Sequence, residues 1–166
     1  MRTLTWKLNS AVPAFHRREK VLACLTRACE AWVKAGAGEL RLVHFQDGAV
    51  ADIHFEFGRI RPPAVAERRP VQRKEGGSIR HVIVFDDHHD WNAGGWWNRI
   101  FGPGLDLLTH AVHEVGHALG LPHSERELSV MFIAPEASGL KNGPDKEDAR
   151  ELRALLLGRE PQSWRS

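Results

Sequence analysis

Apolar and polar residues alternate along several short stretches of the chain, which is the pattern of strands with one buried face. In the first stretch, Leu4, Trp6 and Leu8 alternate with polar residues. The pattern predicts strands over about residues 3–9, 39–45, 51–57 and 78–85. Proline and glycine interrupt the residues before the last of these strands, so that segment is predicted to be mostly loop, with a short edge strand within 64–71.

Apolar residues spaced by three and four positions predict helices. The predicted helices cover about residues 15–35, 106–119 and 145–157. The order of strands and helices favours an α+β or α/β domain with one mixed sheet. A length of 166 residues is that of one compact domain, so we expect residues 1–166 to form a single domain.

The composition excludes several classes of protein. A hydrophobic fraction of 42%, with 6 Trp and 7 Phe, is enough for a sizeable core and excludes a disordered chain. No apolar stretch approaches the roughly 20 residues of a membrane helix, and the first residues lack the apolar segment of an export signal. The net charge of +2 is too small to indicate nucleic acid binding by the whole surface. Cys24 and Cys29 lie in a predicted helix and are expected to be free core residues.

The chemistry of the chain is concentrated in residues 113–123, which read HEVGHALGLPH. His113 and His117 are four residues apart, so on a helix they share one face and can reach one metal ion. Gly120 tolerates the positive φ that ends a helix and turns the chain, which lets His123 supply a third ligand. Three protein ligands leave one tetrahedral position open, as in catalytic zinc sites.

Glu114 directly follows the first predicted ligand. It is rotated by about 100° around the helix, which places its carboxylate beside the open position and predicts a general base. Histidines on a helix are more commonly core or surface residues than ligands. However, His, Glu, His, Gly and His at these five positions would match by chance on the order of 10⁻⁴ times in such a chain, so we predict one catalytic zinc.

The motif resembles that of the matrixins, the matrix metalloproteinase family of the metzincin clan of zinc endopeptidases, including their compact bacterial members. Ser124 follows the motif as it does in matrixins. The segment Ser129–Phe132 (SVMF) is similar to the Met-turn of the family, with Met131 beneath the zinc. Residues 51–53 and 85–87 match further family segments, so the resemblance covers about residues 3–157.

The resemblance implies an α+β metzincin fold, with a twisted mixed sheet of four to five strands, three helices and the zinc motif on the active-site helix. It implies a zinc-dependent endopeptidase in which Glu114 is catalytic, while His113, His117 and His123 bind the metal. Gly120 and Met131 would support the site. Glu147 and Asp148, at the start of the third helix, are similar to the acidic pair that braces the Met-turn and the N-terminus in the family.

The resemblance also implies the surroundings in which the enzyme acts. We expect a peptide or protein substrate that pairs with the edge strand, an extracellular setting and a monomer, with no nucleic acid or membrane partner. A basic segment over residues 58–80 is interpreted as a solvated loop because no aromatic residues interleave its charges.

The chain also departs from the family pattern. The histidines that bind a second, structural zinc in animal matrixins are not recognisable between residues 57 and 78, and the Pro-x-Tyr wall of the specificity pocket is replaced by Ile133–Glu136 (IAPE). Asp86 is a candidate ligand for the family's structural calcium, but His89 stands at the second acidic position. We therefore favour a solvated turn over a calcium site, with a second transition-metal site through His88 or His89 as the remaining alternative.

Two other functions remain open from the sequence. One is a zinc hydrolase that acts on small amides or peptides. The other is a catalytically silent zinc-binding interaction domain. Glu114 argues against the silent domain, because a structural zinc has no use for a carboxylate beside an open position.

Overall fold

The computed structural model describes residues 1–9, 11–13, 16–45, 50–71, 80–94, 104–135 and 139–159. The strands are β1 (Arg2–Leu8), β2 (Leu40–His44), β3 (Ile53–Gly58), β4 (Ala66–Val71), β5 (Arg80–Asp86), β6 (Trp91–Asn92) and β7 (Leu105–Asp106). The helices are α1 (Arg18–Ala35), α2 (Leu107–Leu119) and α3 (Lys146–Leu156).

Among the described residues, five strands form the main sheet, in the order β2, β1, β3, β5, β4. The strands β2, β1, β3 and β5 run parallel to one another, whereas β4 is antiparallel to β5. The predicted mixed sheet and α+β class are therefore confirmed, with three helices in the described parts of the chain. Strand β4 lies at an edge, as the proline-rich sequence around it predicted.

Aromatic rings fill the core along the middle of the sheet. Trp6 on β1 contacts Phe55 on β3 edge to face, and Phe55 stacks near Phe85 on β5. All three side chains are almost completely buried, and they belong to one core cluster with residues of α1 and α2. Helices α1 and α2 therefore pack on the same face of the sheet, where burial of large apolar side chains supplies the main stabilising free energy.

A buried hydrogen bond joins α1 to α2. The indole Nε1 of Trp32, on α1, donates to the backbone oxygen of Val112, on α2, over 2.7 Å. Trp32 is completely buried, so this bond satisfies a polar group that could not otherwise reach water. The helix that carries the zinc motif is thereby held in position by the first helix of the chain.

Local signals define both ends of α2. Asp106 is the N-cap, and its side chain accepts a hydrogen bond from the Thr109 backbone over 2.8 Å. Gly120 ends the helix with φ 109°, in the left-handed region that glycine adopts without strain. The chain therefore turns back directly after the second histidine of the motif.

A short strand pair, the two cysteines and the lengths of the helices can also be compared with the sequence predictions. The short pair of β6 and β7 was not predicted, because two residues are too few to show any periodicity. Cys24 and Cys29 are both buried, as expected for core residues, and burial raises the pKa of the Cys29 thiol. In the described ranges, no helix combines the length and the apolar character needed to cross a bilayer.

Candidate metal centre and active site

Three histidines converge at the end of α2. The Nε2 atom of His117 lies 3.0 Å from Nε2 of His113 and 3.1 Å from Nε2 of His123. The first two are one turn apart on the helix, and the turn at Gly120 brings the third back towards them. The structure thus brings together the three residues that the sequence singled out, as a group whose ligand atoms lie within 4.8 Å of one another.

Backbone carbonyl groups fix the orientation of two of these rings. Nδ1 of His113 donates to the oxygen of Val130, and Nδ1 of His117 donates to the oxygen of Leu121, both over 2.8 Å. Because a carbonyl oxygen only accepts, the proton of each neutral ring is on Nδ1 and the lone pair is on Nε2. Two lone pairs facing each other at 3.0 Å repel unless they share a cation. The donor set therefore fits a zinc ion held by imidazole nitrogens.

The protonation states of the histidines agree with this arrangement. Burial and, to a smaller extent, the neighbouring imidazole of His117 lower the pKa of His113 to about 3. Burial also lowers the pKa of His117 to about 4. His123 is exposed, and burial of part of its ring lowers its pKa as well. All three are neutral near pH 7, which is the form that binds a metal.

Glu114 lies in the same cavity as the three histidines. The cavity has a volume of about 570 Å³, and Glu114 is only 6% exposed. Burial raises the pKa of Glu114 to about 7, while the Arg68 guanidinium opposes this shift. The Arg68 backbone forms a hydrogen bond to the carboxyl group. The Oε2 atom of Glu114 has no hydrogen bond partner in the described part of the chain. A polar ligand in the cavity would therefore stabilise this atom.

The predicted Met-turn lies against α2. Met131 is 1% exposed, and its backbone oxygen accepts a hydrogen bond from the Ser124 backbone over 2.8 Å. Its side chain occupies the space beside Gly116, where an added Cβ atom would collide with the Met131 sulfur and lie 2.8 Å from Cζ2 of Trp32. The hydrophobic pattern of the sequence did not indicate this role of Gly116. A glycine within a helix, where it costs about 1 kcal/mol relative to alanine, was the signal that could have identified it.

The two acidic residues at the start of α3, Glu147 and Asp148, have different partners. Asp148 is completely buried and accepts hydrogen bonds from the Ser129 hydroxyl and the Val130 backbone. It therefore braces the Met-turn, as the resemblance implied. Glu147 instead pairs with Arg150 one turn along the same helix. The amino group of Met1 lies 3.1 Å from Glu39, so the expected contact between the acidic pair and the N-terminus is not formed.

A second group of candidate ligands lies at the end of β5. It consists of Asp86, Asp87 and His88. The histidine of this group is therefore His88, whereas His89 is the residue at the second acidic position of the family pattern. The Asp86 carboxylate accepts a hydrogen bond from the His88 backbone over 2.9 Å. Nδ1 of His88 lies 3.2 Å from the same oxygen and 2.9 Å from a carboxylate oxygen of Asp87. The buried carboxylate is thus already satisfied within the turn.

His110 lies one turn before His113 on α2. It is 4% exposed, and its Nδ1 atom lies 2.9 Å from the Asp106 backbone oxygen. Its ring contacts Trp91 edge to face. The residue borders the cavity but lies outside the group of three converging nitrogens.

Comparison with known proteins identifies the family that the sequence motif resembles. The family model of the matrixins matches residues 1–156. Matrix metalloproteinase-25 of Homo sapiens is 31% identical over 178 aligned residues, which cover 98% of this chain and 30% of that protein. Karilysin of Tannerella forsythia is 36% identical over 73 residues, which cover 44% of this chain and 14% of that protein. Matrix metalloproteinase-21 of Mus musculus is 29% identical over 164 residues, which cover 95% of this chain and 28% of that protein.

This chain therefore spans less than a third of the length of these relatives. The family match nevertheless includes the whole described sheet, the active-site helix and the Met-turn. The chain belongs to the matrixin family of zinc-dependent metalloendopeptidases.

Proposed function

We propose that residues 1–166 form the catalytic domain of a zinc-dependent endopeptidase. His113, His117 and His123 hold the metal, and Glu114 is the general base. The observation that carries the proposal is the convergence of three imidazole nitrogens, with Nε2 of His117 at 3.0 and 3.1 Å from those of His113 and His123, beside a buried carboxylate in the same cavity. When bound, zinc supplies a Lewis acid that activates water and polarises the scissile carbonyl group.

The protein's own residues prepare the site for that chemistry. The carbonyl groups of Val130 and Leu121 hold two of the imidazole rings with their Nε2 lone pairs directed inwards. Such hydrogen bonds from outside the ligand set commonly change metal affinity by about 10- to 100-fold. The rigid surroundings of α2 therefore fix the ligand geometry before a substrate arrives.

Glu114 moves the proton. Its carboxylate takes a proton from water as the water oxygen attacks the scissile carbonyl carbon. The same carboxyl group then gives that proton to the amine nitrogen as the carbon–nitrogen bond breaks. Oε2, which has no hydrogen bond partner among the described residues, is available for both steps.

Strand β4 supports an extended peptide as substrate. It pairs with β5 on one side, and residues 63–68 border the cavity that contains Glu114. An extended peptide can add to the edge of a sheet through its main chain, which a small amide cannot do to the same extent. The geometry thus favours an endopeptidase over a hydrolase of small amides. The proposal includes action outside the cell, as a monomer.

A peptide library tests this function directly. We expect zinc-loaded protein to cleave internal peptide bonds and a zinc chelator to abolish cleavage. The matched variant Glu114→Gln keeps the volume of the side chain but removes the proton carrier. It should retain zinc and the wild-type melting temperature while kcat/KM falls by about 10²- to 10⁴-fold.

Two outcomes would contradict parts of the proposal. Cleavage by Glu114→Gln at the wild-type rate would exclude Glu114 as the proton carrier. Absence of cleavage by the zinc-loaded wild-type protein, for every peptide in the library, would favour the silent zinc-binding domain or a hydrolase of small amides.

A further inference from the structure

Arg68 occupies a position in β4 where an apolar residue would be expected. Its partner across the antiparallel pair is Ile83, which is completely buried in the core. Residues directly opposite each other in neighbouring strands share one face of the sheet, so Arg68 is on the face that packs against α2. Arginine is rarely found on such a face unless its charge meets a partner.

The side chain of Arg68 borders the candidate active site. It lines the same cavity as Glu114 and His117. Its charge acts on both groups, since it lowers the pKa of Glu114 and of His117. The positive charge therefore lies within the cleft, close to the predicted metal ligands and to the path of a peptide along β4.

In the described chain, no carboxylate lies within ion-pair distance of the Arg68 guanidinium group. Its Nε atom is buried without a hydrogen bond partner, and no carboxylate of the described ranges forms an ion pair with it. A buried donor without a hydrogen bond partner lowers the stability of the folded protein, because it has lost its bonds to water. A ligand that supplies a carboxylate at this point would recover that free energy.

The neighbouring acid does not fill this role. Glu67 also borders the cavity, but it pairs with Val84 across the sheet and so belongs to the opposite face of β4. Its carboxylate accepts a hydrogen bond from Arg69, which is two residues along the same face. The charges of Glu67 and Arg69 offset each other at the surface. The charge of Arg68 has no such partner among the described residues and faces the cleft.

We propose that Arg68 determines specificity by binding a carboxylate of the substrate, so that the enzyme prefers an aspartate or glutamate side chain at one position near the scissile bond. The inference rests on the proposed peptidase function. The planar guanidinium group binds a carboxylate through two parallel hydrogen bonds, which are stronger than bonds between neutral groups. The partly buried cleft strengthens them further, because water screens the charges less.

Matched peptides test the preference. A peptide that the library shows to be cleaved is made with Glu or Gln at each of three positions on either side of the bond, with both termini blocked so that every carboxylate is a side chain. The wild-type enzyme should give a kcat/KM for Glu at one position that is about tenfold or more above that for Gln. Arg68→Gln should reduce this ratio to about one, and Arg68→Glu should favour Lys at the same position.

The matched control is Arg69→Gln. It removes the same charge from the adjacent residue, on the other face of the strand, and should keep the wild-type ratio of Glu to Gln. Arg68→Lys keeps the charge without the planar pair of donors and should give an intermediate ratio. The ratio measured for the wild-type enzyme tests the inference even if a variant fails to fold.

A binding measurement separates recognition from hydrolysis. Fluorescently labelled Glu and Gln peptides are titrated with Glu114→Gln protein, with and without the additional Arg68→Gln change. We expect tighter binding of the Glu peptide only when Arg68 is present, and a loss of this difference at high salt. Equal cleavage of Glu and Gln peptides at all six positions would overturn the inference while the proposed function stands. Selective binding by Arg68 without cleavage of any peptide would overturn the proposed function instead.

Discussion

Asp148 is linked to His113 through the backbone of one residue, Val130. The Val130 N–H donates to the Asp148 carboxylate over 2.9 Å, and the Val130 carbonyl oxygen accepts from Nδ1 of His113 over 2.8 Å. A buried carboxylate at the start of α3 therefore orients a predicted zinc ligand on α2. The Met-turn between them transmits this restraint through two hydrogen bonds.

The first prediction concerns Asp148→Asn. The two carboxylate oxygens accept bonds from Ser129, Val130, Arg126 and the Asp145 backbone, and an amide nitrogen cannot accept those on its side. We expect the free energy of unfolding of the zinc-free protein to fall by about 1–3 kcal/mol. Zinc affinity should fall by about 10-fold or more, because His113 loses its fixed orientation.

Urea unfolding and competitive zinc titration measure these two effects. The matched control is Glu147→Gln, at the adjacent and only partly buried residue, which should change neither quantity appreciably. Unchanged zinc affinity in Asp148→Asn would show that the Val130 link does not orient the ligand.

The second prediction is one tightly bound zinc per chain. His117 is the central residue of the three converging nitrogens, so His117→Ala should bring the zinc content close to zero. His88→Ala removes the histidine of the other candidate group and should leave the content at one. Metal analysis of protein purified after expression with added zinc provides the measurement. Two zinc ions in the wild-type chain, falling to one in His88→Ala, would identify a second site at the end of β5.

The third prediction is that calcium is not needed for stability. The buried Asp86 carboxylate accepts a hydrogen bond from the His88 backbone, and His88 offers nitrogen where calcium prefers oxygen. The melting temperature of the zinc-loaded protein should therefore be the same in millimolar calcium and in a calcium-selective chelator. A shift of several degrees would show that the folded protein binds calcium and would contradict this prediction.

The fourth prediction concerns the close approach of Gly116 to the Met-turn. Gly116→Ala places a Cβ atom against the Met131 sulfur and the Trp32 ring, both of which are buried. We expect this overpacking to reduce the free energy of unfolding by about 1–3 kcal/mol. Met131→Leu is the comparison, since its volume is similar and it should cost less than about 1.5 kcal/mol. Equal stability of Gly116→Ala and the wild-type protein would show that the turn can move away freely.

The fifth prediction concerns His81, on β5. Burial, with the charges of Arg68 and Arg2, lowers its pKa to about 4 from an ordinary value of 6.5. The folded state therefore prefers the neutral ring. Its contribution to stability is complete above pH 6.5 and is lost as the pH falls from 6.5 towards 4.

Urea unfolding of zinc-free protein at pH 7.5 and pH 5 measures this dependence. His81→Gln cannot titrate, so it should lose less stability than the wild-type protein between the two pH values. His89→Gln, on the exposed turn after β5, is the control and should follow the wild-type protein. Parallel losses in all three proteins would exclude His81 as a source of the acid sensitivity.

Features encoded by neighbouring residues could be predicted from the sequence. The cap at Asp106, the break at Gly120 and the histidine spacing between them all follow from local chemistry, and they locate α2 and the candidate site. The environment of Arg68 could not be predicted in this way. It depends on the register that sets Arg68 opposite Ile83, and nothing in the local sequence distinguishes that face from the one that carries Arg69. The separate roles of Glu147 and Asp148 likewise depend on how α3 docks.

The hydrogen bond between Trp32 and Val112 joins residues that are 80 positions apart. Docking of α2 against α1 therefore requires closure of a long loop, with an entropy cost that formation of the helix itself does not have. His113, His117 and His123 are near neighbours along the chain and need no such closure to meet. We therefore expect zinc that is present during folding to bring the histidines together before the core beneath them is complete.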